Sequence, residues 1–94
     1  MSIKKILEKN GFTVKKEGNW WSISQYTPAG EDWYLSFECL SDFKRYAEDY
    51  DPEDDFKMWV NARGKVSGVP DIPELWQDQL WKQETLKKCL DEIK

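Results

Sequence analysis

A chain of 94 residues with 18 acids, 14 bases, no histidine and two cysteines narrows the options before any motif is sought. Its length suits one domain over residues 1–94. It holds no apolar run near the roughly 18 residues that a membrane span needs, and Ser2–Phe12 is too charged for a signal peptide.

Ser2 is placed to cap a first helix carrying Ile3, Ile6 and Leu7 on one face, and Asn10-Gly11 supplies its stop. Residues 12–16 then alternate as a strand. Glu17-Gly18-Asn19 reads as a tight turn, and Trp20–Tyr26 as a second strand with Trp21 and Ile23 on one face and Trp20, Ser22 and Ser24 on the other. Thr27-Pro28-Ala29-Gly30 is a loop by composition. Residues 33–38 alternate again, with Trp33, Leu35 and Phe37 inward and Tyr34, Ser36 and Glu38 outward. Short loops between three strands predict an antiparallel meander.

The second half is helical. Ser41 is placed to cap a helix with Phe43, Tyr46, Ala47 and Tyr50 at the 3.6-residue period. Asp51-Pro52 ends it and starts another, which presents Phe56, Trp59 and Val60 and stops near Arg63-Gly64. Residues 65–70 form a loop. Asp71 caps a last helix with Ile72, Leu75, Trp76, Leu80, Leu86, Leu90 and Ile93 toward the C-terminus. The expected class is α+β, a three-stranded antiparallel meander packed by helices in the order α-β-β-β-α-α-α.

Catalysis is not expected. Histidine, the usual general acid–base at neutral pH, is absent, and the serines have no Gly-x-Ser-x-Gly elbow. Gly64 and Gly68 lack the Gly-Lys-Ser/Thr ending of a phosphate loop. No cofactor is implied. A Cys/His zinc site is excluded, and Cys39 and Cys89 read as small core residues in a reducing cytoplasm rather than as a long-range disulfide.

Charge is unevenly placed. Residues 1–30 carry five Lys against two Glu, whereas residues 31–63 carry ten acids against four bases. That is not the basic stripe of a nucleic-acid binder, so no direct nucleic-acid contact and no membrane contact is expected. Glu48, Asp49, Asp51, Glu53, Asp54 and Asp55 fall within eight residues. Acids in the first turn of a helix are favoured by its dipole, which is reason enough for some of them. The Asp51-x-Glu53-x-Asp55 spacing resembles the opening of a calcium loop, but Phe56 stands where that loop needs glycine. A third reading is that clustered carboxylates imitate phosphates and occupy the basic groove of a nucleic-acid-handling protein, with Glu31, Asp32, Glu38 and Asp42 extending the patch.

Six Trp, four Tyr and four Phe are more aromatic surface than one small core requires. Most belong inside. Trp20 faces away from Trp21, and Trp81 lies off the leucine stripe of its helix, so these two, with Tyr34, are candidate partner-binding residues. Arg63 is another, suited either to a carboxylate contact or to capping the helix before it.

The segment Ser24-Gln25-Tyr26-Thr27-Pro28-Ala29-Gly30-Glu31-Asp32-Trp33 resembles small uncharacterised proteins of phages and conjugative elements of gut Gram-positive bacteria. So do Tyr46-Ala47-Glu48-Asp49-Tyr50-Asp51-Pro52, Trp59 with Ala62-Arg63-Gly64, Gly68-Val69-Pro70 and the closing helix. What the resemblance implies is a setting: accessory genes on mobile DNA, whose small acidic products often inhibit host defence, anti-CRISPR and anti-restriction proteins among them. The expected function is therefore a non-enzymatic protein that binds a host defence or nucleic-acid-handling complex in the bacterial cytoplasm. The alternatives are a homo-oligomeric accessory protein joined through its aromatic surface, as a homodimer, and a small-molecule or nucleotide binder with an aromatic pocket.

Overall fold

The computed structural model describes residues 2–63, 65 and 69–93. Seven elements follow in chain order: α1 (Ile3–Lys9), β1 (Thr13–Glu17), β2 (Trp20–Tyr26), β3 (Asp32–Phe37), α2 (Asp42–Asp49), α3 (Pro52–Ala62) and α4 (Ile72–Glu92). The α+β class and the element order are as the sequence predicts, with β1 and β3 each displaced by one residue. Gly64 and residues 66–68 of the 65–70 loop lie outside the described residues.

Local chemistry sets the boundaries. The Ser2 hydroxyl accepts from the Lys5 N–H at 3.3 Å. At the other end of α1, Gly11 adopts φ +94°, while the Phe12 N–H reaches Leu7 O at 3.0 Å and the Gly11 N–H reaches Glu8 O at 3.1 Å. This paired closure needs a left-handed residue, and it turns Phe12 back onto Leu7 in the core. Only Gly18 has positive φ in the two-residue β1–β2 turn, which matches a type II′ turn and pairs Glu17 with Trp20. Asp51 caps α3 by accepting from the Glu53 N–H, and Pro52 occupies its first turn. Ser41 and Asp71 stand at helix starts without a capping side-chain bond. Ser41 is itself in the helical conformation, and Asp71 takes the Arg63 guanidinium at 3.1 Å instead.

The sheet runs β1-β2-β3, antiparallel throughout, with Ile23 opposite both Val14 and Leu35. One face meets the helices. There Phe12, Ile23, Trp33 and Phe43 join Ile6, Leu7, Leu86 and Cys89 in the core, with Trp21, Leu35, Phe37 and Trp81 partly buried around them. Phe43 meets Phe12, Phe37 and Tyr46 with ring centroids about 6 Å apart. The other face stays open, with Trp20 50% and Tyr34 55% exposed.

Two expectations are corrected. Cys39 is not a core residue; it is exposed past the end of β3, whereas Cys89 is buried, and both are free thiols. Trp81 is not an exposed anchor. It packs edge-on to Trp33 at 5.9 Å, because the helical phase of α4 turns it toward the sheet.

α4 organises the helical layer. Its C-terminal half places Leu86 and Cys89 in the core, and its N-terminal half buries Asp78, Gln79 and Lys82. α3 has no fully buried residue; it leans on α4, where Phe56 meets Trp76 at 5.3 Å. No helix among the described residues is long and apolar enough to cross a membrane.

Candidate functional site

The polar half of α4 ties three segments together. Asp78 holds the β2–β3 loop: its Oδ2 accepts from the Thr27 hydroxyl at 2.5 Å and its Oδ1 from the Ala29 N–H at 3.1 Å. Thr27 in turn accepts the Glu31 N–H at 2.9 Å, which fixes where β3 begins. One helical turn on, Lys82 reaches Glu31 Oε2 at 2.6 Å and Asp55 Oδ2 at 3.0 Å. Its side chain is only 2% exposed, against 5% for Glu31 and 16% for Asp55. Its ammonium also lies 5.6 Å from the centre of the Trp33 ring. A buried lysine needs such partners, because its desolvation costs several kcal/mol.

Tyr50 completes the cluster. Its hydroxyl lies 2.8 Å from Asp55 Oδ2 and 3.1 Å from the Gln79 amide. Burial and the neighbouring Asp55 push its ionisation far above the usual range, so it stays a phenol. Tyr46 accepts the Trp33 indole N–H at 3.3 Å and is pushed up to about 12, chiefly by burial. Glu31 is also raised: burial outweighs the hydrogen bond and charge of Lys82, and Asp55 and Asp78 add repulsion. Its second oxygen, Oε1, is buried without a hydrogen-bond partner among the described residues, as is the indole N–H of Trp59.

Above this floor opens a groove of about 730 Å³, walled by β3 on one side and by α2 and α3 on the other. Seven carboxylates line it, from Glu31, Asp32, Asp42, Asp49, Asp51, Asp54 and Asp55, against two cations, Arg45 and the already paired Lys82. Trp33, Tyr34, Tyr46, Tyr50 and Trp59 supply aromatic surface. Among the described residues no group of three or more His, Cys, Asp or Glu converges as metal ligands do. An acidic, aromatic-lined groove of this kind suits an organic cation, since the π faces and carboxylates attract the same charge.

The acids singled out from sequence divide. Asp49, Asp51, Asp54 and Asp55 line the groove, while Glu48 borders a separate depression toward Leu86 and Leu90. Glu53 lies in the first turn of α3, with its backbone N–H held by Asp51. Capping and dipole placement thus account for Asp51 and Glu53, and Asp55 adds the pair with Lys82. Glu31, Asp32 and Asp42 join the groove; Glu38 does not line it. Trp20 and Tyr34 flank a shallow depression on the open sheet face with Glu17, Ser22 and Ser36. Tyr34 lines both surfaces. Arg63 is exposed at the end of α3, paired with Asp71, and does not line the groove. Trp81 is in neither surface.

Sequence reasoning passed over Lys82, Asp78 and Gln79. A signal was present: Leu75, Asp78, Gln79, Lys82, Thr85, Leu86 and Cys89 follow the three- and four-residue steps of one helical face. Extending the phase of Leu75, Leu86 and Cys89 places the polar residues inside.

No family model matches the sequence, and no curated protein or solved structure matches it either.

Proposed function

We propose that the chain is a non-enzymatic interaction protein of a phage or other mobile element, which inhibits a host defence or nucleic-acid-handling complex of the anti-CRISPR or anti-restriction type by occupying a basic site. The observation behind this reading is the convergence of carboxylates from the β2–β3 loop, β3, α2 and α3 on one groove. Such a surface is complementary to proteins built to hold phosphates, and it steers encounter with them. The mobile-element setting comes from the sequence resemblance alone.

Affinity capture from a bacterial lysate, with the wild type beside an Asp32→Asn/Asp49→Asn/Asp51→Asn/Asp54→Asn variant, tests it. These four carboxylates are exposed, so the variant keeps the buried Lys82 pairs. The reading expects a nucleic-acid-binding protein held by the wild type, lost by the variant and released by salt, because exposed charges are screened beyond about 8 Å at physiological ionic strength. Capture that ignores both the substitutions and the salt overturns it.

A second reading is favoured by one observation: Trp20 and Tyr34 stand about half exposed on the uncovered sheet face. Self-association through that face would give a homodimer whose mass falls on dilution and which Trp20→Ser/Tyr34→Ser abolishes. A nucleotide is the wrong charge for the groove, since its phosphates would meet carboxylates on every wall.

A further inference from the structure

The groove contains five consecutive residues, Glu31 to Leu35, beginning just before β3 and running along it. Neighbouring side chains of a strand point to opposite faces, so a surface on one face meets every second residue. Only the strand's edge presents such a run. β3 is the end strand of the sheet, and among the described residues no strand pairs along its outer side. An uncovered edge is a template for an added strand.

The floor of the groove holds one carboxylate oxygen that lacks a partner among the described residues. Glu31 and Asp55 share the single ammonium of Lys82, and Glu31 Oε1 is buried without a partner on a side chain 95% removed from solvent. Tyr34 and Trp59 line the same groove, and Tyr34 offers an exposed ring. A guanidinium fits this setting better than an ammonium does, because it is planar, stacks on rings and carries several donors in a fixed fork.

Deepening the partner-binding reading, on which it rests, we infer that the partner contributes an extended, arginine-containing segment that adds to the outer edge of β3 as a fourth strand and seats one guanidinium against Glu31 Oε1. Main-chain bonds to β3 supply affinity, and alternate side chains of the segment select for positive charge. A second cation also relieves the repulsion that Asp55 and Asp78 exert on Glu31.

The test uses wild-type protein, isotope-labelled for NMR, and a short peptide alternating arginine with valine. Four companion peptides carry citrulline for arginine, lysine for arginine, or N-methyl groups on alternate backbone nitrogens in one register or the other. Binding should move the amide signals of residues 32–35 and the Trp59 indole signal. The citrulline peptide and one N-methyl register should each weaken binding roughly tenfold or more, as loss of charge-assisted or several main-chain bonds requires. The lysine peptide should bind more weakly than the arginine one. Glu31→Gln should weaken the arginine peptide and leave the citrulline peptide unchanged.

If the arginine peptide moves the groove signals but neither N-methyl register matters, strand addition is wrong and the acidic groove still binds cations. If the peptide moves only Trp20 and Tyr26 on the open face, the groove is the wrong site. If no basic peptide moves any groove signal even at low salt, the inference and the partner-binding reading fall together.

Discussion

The two halves of α4 solve the same packing problem with opposite chemistry. Leu86 and Cys89 are buried among Ile6, Leu7, Phe12 and Phe43, with Leu90 packed against them, where close packing alone is rewarded. Asp78, Gln79 and Lys82 are equally buried, yet each is held in place by a specific donor or acceptor. An apolar core tolerates modest misfit; a buried polar cluster loses heavily if one member is missing. The apolar half holds the sheet to the helices, and the polar half fixes the geometry of the groove.

Paired substitutions break this comparison most sharply. Phe43→Ala should cost about 3–5 kcal/mol, lowering Tm by well over ten degrees, and no neighbouring polar substitution should restore it. Lys82→Met should cost a similar 3–5 kcal/mol, because it strands the buried Glu31 carboxylate and the partly buried Asp55. Here, however, adding Glu31→Gln to Lys82→Met should recover a substantial part. Denaturant unfolding of the four proteins decides it. Equal rescue at both ends would mean the polar cluster packs like ordinary core.

Hydrogen exchange sharpens the contrast next. α3 buries no residue fully and depends on the Asp55–Lys82 pair and the Phe56–Trp76 contact, so its amides should exchange well before those of β2 and the C-terminal half of α4. Protection of α3 at the level of β2 would show the groove wall to be part of the global unfolding unit.

Much of this fold was readable from the chain. The glycine after Asn10, the two-residue turn at Gly18 and the strict alternation in residues 20–26 and 33–38 each specify local geometry, and three adjacent strands leave few topologies. The helix faces were harder. On α4 the apolar set Ile72, Leu75, Trp76, Leu80, Leu86, Leu90 and Ile93 shares only Leu75 and Leu86 with the buried face, which follows 75, 78, 79, 82, 85, 86 and 89. A polar residue is placed inside only when a partner waits there, and the partners of Lys82 lie 51 and 27 residues away. The acidic stretch was visible as charge, but which acids share the groove depends on how α2 and α3 turn, so Glu48 and Glu53 left the set while Glu31 became its floor. Cys39 was misplaced because a small apolar residue beyond a strand's end carries no period to judge it by.

Smaller effects should carry opposite signs at the two ends. The Glu31 carboxyl binds its proton more tightly in the folded chain, so its burial favours folding at low pH and that contribution is lost as pH rises through the raised value. Glu92, held by Lys9 and Asn10 where α1 meets α4, is lowered by those bonds; its contribution is present above the ordinary carboxylate range and lost as pH falls. Acid denaturation should therefore become shallower in Glu92→Gln and steeper in Glu31→Gln. The same direction of change in both would break the assignment. Smallest of all, one thiol should react with a maleimide in the native protein and two after unfolding. Cys39 is exposed, whereas Cys89 is buried and pushed up to about 11. Modification of both thiols in the native state would place α4 in frequent exchange with an open form.

Two of the bonds that join α4 to the β2–β3 loop, Thr27 with Asp78 and Glu31 with Lys82, each close a span of 51 residues. The hairpins of the sheet close over a handful of residues, so they have far less chain entropy to overcome and can form early. The β3 wall of the groove can therefore form before α4 docks, whereas the α3 wall, which leans on α4, is completed only with that helix. Selective recognition at the groove floor is thus expected only once the last helix has docked. By the same linkage, whatever occupies that floor slows the departure of that helix.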